Sequence, residues 1–309
     1  MSPSRSNLGW PDLLLVLSAL VWATSYGVTQ TALHWVPVAV LLALRFGLAS
    51  LLLAPAWLRL RLPRADWARV AGLGGLVLLT LTLECWGVLH TSASHAALLI
   101  SLCLVFTPLA EWAWLGRRPR ILEAVACVAS LTGVVLLTAG GGLHLQLGDG
   151  LILGAALSRT ALGVLTRQQM LRRPLPALAL TGVQSGVVAL GALLAIWLIP
   201  GQAVALPGLT QASGLWLAIA WLVIGCTVFA TGAQNLGARY RSATRVALLS
   251  GCEPAFGAVF AALWLDDRLG YWGWSGAALL VGAALLAVLP TPTLFSARRA
   301  LQATDAGTG

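Results

Sequence analysis

GARYRSATRVALLSGCEPAFGAVFAALWLDDR, residues 237 to 268, is a stretch that the chain has already written once. Residues 87 to 118, GVLHTSASHAALLISLCLVFTPLAEWAWLGRR, align with it without a gap at an offset of 150 residues, and 10 of the 32 positions are identical. The matches include Ser92 with Ser242, Ala-Leu-Leu at 97 to 99 with 247 to 249, Phe106 with Phe256, and Trp114-Leu115 with Trp264-Leu265. A shared Ala/Leu-rich composition gives apolar matches readily, but not polar and aromatic ones in register. The chain therefore reads as a duplication, and the region where its halves meet is the first place to look for function.

Around this stretch, 59% of the 309 residues are hydrophobic and 9% are charged, with apolar runs of about 20 residues recurring throughout. A soluble protein of this size needs a charged surface; here the charges cluster between apolar runs, so lipid is the expected solvent of most of the exterior. All 19 basic residues are Arg and the net charge is +9. The Arg clusters lie at the ends of apolar runs and are spaced by pairs of helices, which is the pattern of topology signals facing anionic headgroups and not of a nucleic-acid footprint. Cys85, Cys103, Cys127, Cys226 and Cys252 lie inside apolar runs without paired spacing, so neither a disulfide framework nor a metal site is expected. The first apolar run, preceded by Arg5, has the outline of a secretory signal, but Asp12 to Thr29 has a counterpart at Asp149 to Thr166. A cleaved signal has no reason to be repeated inside the chain.

Interruptions by Arg, Pro and Gly predict an all-α polytopic membrane protein of ten transmembrane helices, over 12–30, 37–57, 69–89, 93–115, 120–138, 150–170, 176–199, 214–237, 244–265 and 271–289. The domain reading is a cytoplasmic segment (1–11), a first repeat (12–138), an external linker (139–149), a second repeat (150–289) and a cytoplasmic tail (290–309). With the N-terminus inside, 16 Arg fall on the cytoplasmic side and Arg268 alone outside, while Arg45 and Arg159 lie within spans. A missed or invented helix would invert everything downstream and destroy this asymmetry. Because five helices is an odd number, the second repeat sits upside down relative to the first. Inverted repeats are characteristic of secondary transporters, which bind substrate near the midplane between the repeats.

Weak motifs in a specific order carry a family resemblance: Trp22 among small residues, Arg45-Phe46, Glu253-Pro254, the acidic-basic turn from Leu265 to Arg268, and Gly276 with Gly282. On these the chain resembles the drug/metabolite transporter superfamily, in its EamA-type branch of ten-helix proteins with two five-helix repeats. It departs from that pattern at Ala23, where a Gly commonly follows the Trp, at Arg117, where the first repeat usually has an acid, and at Arg159, which stands where the repeat alignment puts Trp22. The resemblance implies a secondary-active transporter at the cell (inner) membrane, an exporter of small organic solutes such as an amino acid, a metabolite or a drug-like compound. The competing reading is a non-transporting scaffold or lipid-binding subunit whose buried charges only pair internally. A membrane-embedded enzyme ranks third, since metal, nucleophile-elbow and phosphate-loop motifs are lacking.

Ionisable side chains inside spans are costly, roughly 2.5 to 3.5 kcal/mol at a helix centre on insertion scales, and normally face a cavity or a partner. Arg159 and Glu253 are both expected near the midplane, able to meet or to share a substrate. Arg159 suits a carboxylate, its planar fork matching two oxygens; the alternative is a structural ion pair. Glu84 aligns with Gln234, a polar pair at equivalent repeat positions, and Trp22 is the mid-helix tryptophan that lines a cavity or packs against neighbours. Substrate binding is accordingly assigned to Arg159, Glu253, Trp22, Glu84 and Gln234, and gating to the helix-bending Pro108 and Pro254. Arg45 reads as a structural tie and Glu111 as a partner of the Arg117 to Arg120 cluster. Most other Trp, among them Trp10, Trp35, Trp57, Trp67 and Trp272, read as interfacial anchors. The Gly150/Gly154 and Gly182/Gly186 pairs read as close helix contacts. No cofactor is expected; the expected partners are a small-molecule substrate and the lipid bilayer, with a proton as candidate coupling ion.

Overall fold

The computed structural model describes residues 9–91, 96, 99–137, 147–199, 206–208, 212–264 and 270–289. The expected cytoplasmic ends, the linker around 139–146, the turn from Leu265 to Arg268, and His95 and His144 lie outside the described residues. Among the described residues all regular structure is helical: α1 (Trp10–Leu33), α2 (Val38–Leu52), α3 (Ala54–Trp57), α4 (Arg64–Leu89), α5 (Cys103–Leu115), α6 (Ile121–Leu137), α7 (Leu147–Arg172), α8 (Ala177–Leu198), α9 (Ser213–Trp221), a π-helical stretch (Leu222–Thr231), α10 (Gly232–Tyr240), α11 (Ala243–Ser250), α12 (Glu253–Trp264) and α13 (Tyr271–Val288). Helices are forced by the solvent, because hydrocarbon offers the backbone no hydrogen bonds and a helix satisfies its own.

Among the described residues six helices are long and apolar enough to cross a membrane, the stretch Ser213–Tyr240 counting as one; Val38–Leu52, Leu99–Leu115 and Ile121–Leu136 are shorter and apolar. Leu51, Leu190, Trp197 and Leu217 are exposed on the outside of the bundle, a face that only lipid tolerates. Punctuation follows residue type. Pro37, Pro63 and Pro176 stand at N-caps, and Gly116, at φ +68°, takes the left-handed position that ends α5. Three expected helices are divided; the one over 93–115 turns at Leu102, whose carbonyl accepts from the amides of Val105 and Phe106. The one over 37–57 breaks at Leu53, since Pro55 cannot donate back into the preceding turn. The one over 244–265 breaks at Gly251-Cys252, where the carbonyl of Cys252 accepts from the amides of Ala255 and Phe256 and starts α12 afresh.

The packing repeats itself as the sequence does. The α4 helix lies along α7, and their counterparts, Ser213–Tyr240 and α1, lie along each other; α2 packs on α8, and α6 on α13. Small residues set the closest approaches. A Cβ on Gly182 would meet Trp57 at 2.4 Å, and the Ser50 hydroxyl donates to the Gly182 carbonyl at 2.9 Å. Gly150 has nothing within 4 Å, so the close contact expected there is not made. Trp57 is likewise held inside, its indole N–H donating to the Ser50 carbonyl, and Trp67 packs against the core beside α7, whereas Trp10, Trp35 and Trp272 are exposed. At the α6–α13 crossing a Cβ on Gly133 would lie 2.8 Å from the Gly276 carbonyl. Gly133→Val is therefore expected to cost about 1–3 kcal/mol by overpacking against backbone. Gly282→Ala, whose added methyl meets nothing within 4 Å, is expected to be neutral or stabilising by up to ~1 kcal/mol. Thermal unfolding of the purified protein in detergent compares the two.

Candidate functional site

Two charged residues and a tryptophan of the interior stand at the centres of their helices. Arg45 is in the middle of α2, Trp22 of α1 and Arg159 of α7, and Glu253 sits at the junction of α11 and α12. Beside them runs the π-helical stretch, whose wider turn leaves carbonyls open to side chains. The Thr227 hydroxyl donates to the Leu222 carbonyl five residues back, and the Trp22 indole donates to the Cys226 carbonyl at 2.9 Å. Arg45 donates through Nε to Thr227 Oγ1 at 2.8 Å. Trp22 and Arg45, both in the first repeat, thus tie down the irregular segment of the second.

Arg159 pairs with Glu84 of α4: Nη1 lies 3.7 Å from Oε1, and the side chains are 38% and 28% exposed. This separation exceeds hydrogen-bond length, and Glu84 Oε1, itself buried, has no hydrogen-bond partner. Glu84 comes beside Arg159 because α4 lies along α7. Glu253 belongs to the same electrostatic cluster. The Cys103 thiol lies within range of Arg159, Glu84 and Glu253, and the Cys226 thiol within range of Arg45 and Glu253. Two guanidiniums and two carboxylates from α2, α4, α7 and α12 thus act electrostatically on these two thiols. Cys103 and Glu253 are equivalent in the 150-residue repeat alignment, so the duplication placed an acid on one side of the site and a thiol on the other.

Gln234, the counterpart of Glu84, donates to Ser250 Oγ at the end of α11. Its neighbour Asn235 donates to Thr181 and Gln184 in a buried polar knot with α8. Pro108 is inside α5, where its missing N–H leaves the Leu104 carbonyl unclaimed; the Cys127 thiol of α6 takes it at 3.2 Å. Pro254 differs from expectation. It stands in the first turn of α12, where an amide hydrogen has no intrahelical partner anyway, so it removes no hydrogen bond, and the interruption belongs to Gly251-Cys252. A Cβ on Gly251 would lie 2.9 Å from Leu104 of α5, so this break nests one turn from the Pro108 distortion.

Clamps at the helix ends escape a reading based on intramembrane charge. Asp12 accepts from Gly9 N, from both Nε and Nη2 of Arg241, and from Nε of Arg245. Asp149, its repeat counterpart, accepts from Thr91, which is the counterpart of Arg241. Each repeat's first helix thereby grips the loop after the third helix of the other repeat. The two offsets, 137 for the Asp pair and 150 for the Thr/Arg pair, are the sequence signal that would have found this contact. Glu111, fully buried, pairs with Arg117 and also caps α11, accepting from Ala243 N, Thr244 N and the Thr244 hydroxyl. Burial works against the charge on Arg117, but the hydrogen bond and charge of Glu123 together with Glu111 outweigh it and hold its pKa above the ordinary arginine value.

Among the described residues no group of three His, Cys, Asp or Glu side chains could hold a metal ion. A TM-score of 0.78 relates this structure to one solved crystal structure, covering 93% of this chain and 99% of that chain at 22% identity, a likeness of fold. A curated relative from Streptantibioticus cattleyicolor, named "Probable terminal-alkyne amino-acid exporter", is 32% identical over 133 residues, 41% of this chain; the chain spans 44% of that relative's length in the match. The model of the EamA-like transporter family matches twice, over residues 9–139 and 146–289. With two copies of the family unit covering nearly all of its length, the chain belongs to the EamA-like transporter family, within the drug/metabolite transporter superfamily.

Proposed function

We propose that this protein is a secondary-active exporter of small zwitterionic solutes of the amino-acid class, working by alternating access between two inverted five-helix repeats. It is a transporter and not an enzyme. The observation that carries the reading is the open Arg159–Glu84 pair: two opposite charges, 3.7 Å apart and partly exposed, with a carboxylate oxygen that has no hydrogen bond. A structural pair in hydrocarbon gains from closing, whereas one that must admit a solute gains from staying loose. A solute carboxylate takes the Arg159 fork, and its ammonium group meets Glu84 or Glu253. The balance of two positive and two negative charges suits a zwitterion, and the printed name of the curated relative agrees with both the solute class and the direction.

Ten crossings with both termini cytoplasmic fit the Arg asymmetry, with α2 and α3, α11 and α12, and Ser213–Tyr240 each forming one crossing. On this topology the Asp12–Arg241/Arg245 clamp closes the cytoplasmic end and Asp149–Thr91 the external end, so alternating access exchanges one clamp for the other. Trp22, Arg45 and Gln234 hold the site in place, and Pro108 with the Gly251-Cys252 break supplies the hinges. The unit boundaries 12–138 and 150–289 follow the same division.

Transport by reconstituted protein tests the site. Arg159→Gln is expected to abolish efflux of zwitterionic amino acids at unchanged insertion, and Arg159→Lys, which keeps the charge but loses the fork, to raise KM about tenfold. Arg159→Gln/Glu84→Gln separates the alternatives: recovery of both stability and flux to wild-type levels would make the pair structural. Orientation is tested separately. In a background lacking the native cysteines, Gly208→Cys between α8 and α9 is expected to react with an impermeant thiol reagent added to intact cells. Reaction only after permeabilisation would overturn the ten-crossing topology.

A further inference from the structure

A second site lies on the outside of the bundle, along the seam between α4 and α7. A groove of about 240 Å³ runs there, lined on the α4 side by Arg69, Leu73 and Leu76 and on the α7 side by Leu165, Gln169 and Arg172. These positions recur at three- and four-residue intervals on each helix, so each helix gives the groove one face. The cationic residues stand together at one end and the leucines extend from them. Arg69 and Arg173 both bind Asp66, at 2.8 and 2.9 Å, whereas Arg172 makes no ion pair or hydrogen bond with the described residues. Three guanidiniums against one carboxylate leave the rim with an excess of two positive charges. Gln169, 4% exposed, lines the groove, and its Nε2 has no hydrogen-bond partner. A buried amide donor without an acceptor is unusual enough to need an explanation.

Gly72 leaves the space open. A Cβ built there meets nothing within 4 Å, so the glycine is not needed for helix contact, and any larger side chain would occupy the groove. Beyond the leucines the seam is closed by Thr80 Oγ1 donating to Ser158 Oγ, with both hydroxyls also directed at the Leu76 carbonyl. The groove is thus a half-channel: cationic at the membrane surface, apolar towards the interior, and stopped at its inner end.

We propose that this groove binds one anionic phospholipid. The phosphate takes Arg172 and Arg69 and accepts from Gln169 Nε2, and an acyl chain lies over Leu73, Leu76 and Leu165. Basic pockets between membrane helices on the cytoplasmic side are suited to anionic headgroups, and the Arg-rich rim belongs to that side in the topology proposed above. The choice of a lipid over free phosphate follows from the leucines, which give an inorganic ion no contact. Bound there, the lipid bridges the two helices that carry Glu84 and Arg159 further along the same seam. The site does not depend on which solute the protein moves.

Native mass spectrometry of the full chain in detergent, titrated with dioleoylphosphatidylglycerol, measures the binding. One tightly held lipid is expected, with dioleoylphosphatidylcholine bound at least tenfold more weakly and inorganic phosphate failing to compete. Arg69→Gln/Arg172→Gln and, separately, Gly72→Leu are expected to weaken phosphatidylglycerol binding at least tenfold. Arg118→Gln, outside the groove, should leave it unchanged. Melting without lipid shows that each variant is folded, and phosphatidylglycerol should raise the Tm of the wild type but not of the groove variants. Should Gly72→Leu fold and still bind as the wild type does, the groove is not the site. Equal loss in Arg118→Gln would reduce the effect to general surface charge, and competition by inorganic phosphate would make the ligand a free anion; either result overturns the proposal.

Discussion

A backbone in hydrocarbon must find every hydrogen bond within the protein, and the structure depends on how this constraint is met where the helices are not regular. In regular stretches the helix meets it alone. Three places where it does not are the π-helical stretch, Pro108 in α5, and the turn before α11. In each, a side chain from elsewhere completes the account. Trp22 donates to the Cys226 carbonyl, the Cys127 thiol to the Leu104 carbonyl, and Glu111 accepts from the first amides of α11. The first and last of these bonds cross from one repeat to the other, so irregular backbone is tolerated here because the halves are docked, and docking is reinforced by satisfying it.

The same arrangement gathers the chemistry. Irregular backbone in a membrane is confined to places where protein or a cavity covers it, and the charges of the interior lie beside it: Arg45 on Thr227 of the π-helical stretch, Glu253 at the α11–α12 break. Arg159 and Glu84, on regular helices, are brought to the cluster by the α4–α7 seam. A buried carboxylate oxygen without a hydrogen bond is costly, and that of Glu84, 3.7 Å from Arg159, is the physical basis of the transport proposal. The clamps at Asp12 and Asp149 extend the reciprocity to the helix ends, where one acid faces two guanidiniums and its counterpart a hydroxyl. Duplication supplied one geometry twice, and divergence of the residues in it made the two ends unequal.

Much of this was legible in the sequence. The duplication, the helical class, the helix ends at Pro37 and Pro176, and the membership of the family follow from apolar run length, residue type and repeated motifs, all of which are local. A residue's depth along its helix is also local, since the rise per residue is constant, so the position of Arg159 halfway along its helix could be read in advance. Tertiary structure alone decided the partners. Depth says nothing about azimuth or about which helices are neighbours, so the placing of Arg159 beside Glu84 and of Gln234 on Ser250 had to come from the packing. The π-helical turns were hidden as well, because the wider turn is held by side chains of the other repeat, Trp22 on Cys226 and Arg45 on Thr227, which the segment itself does not contain.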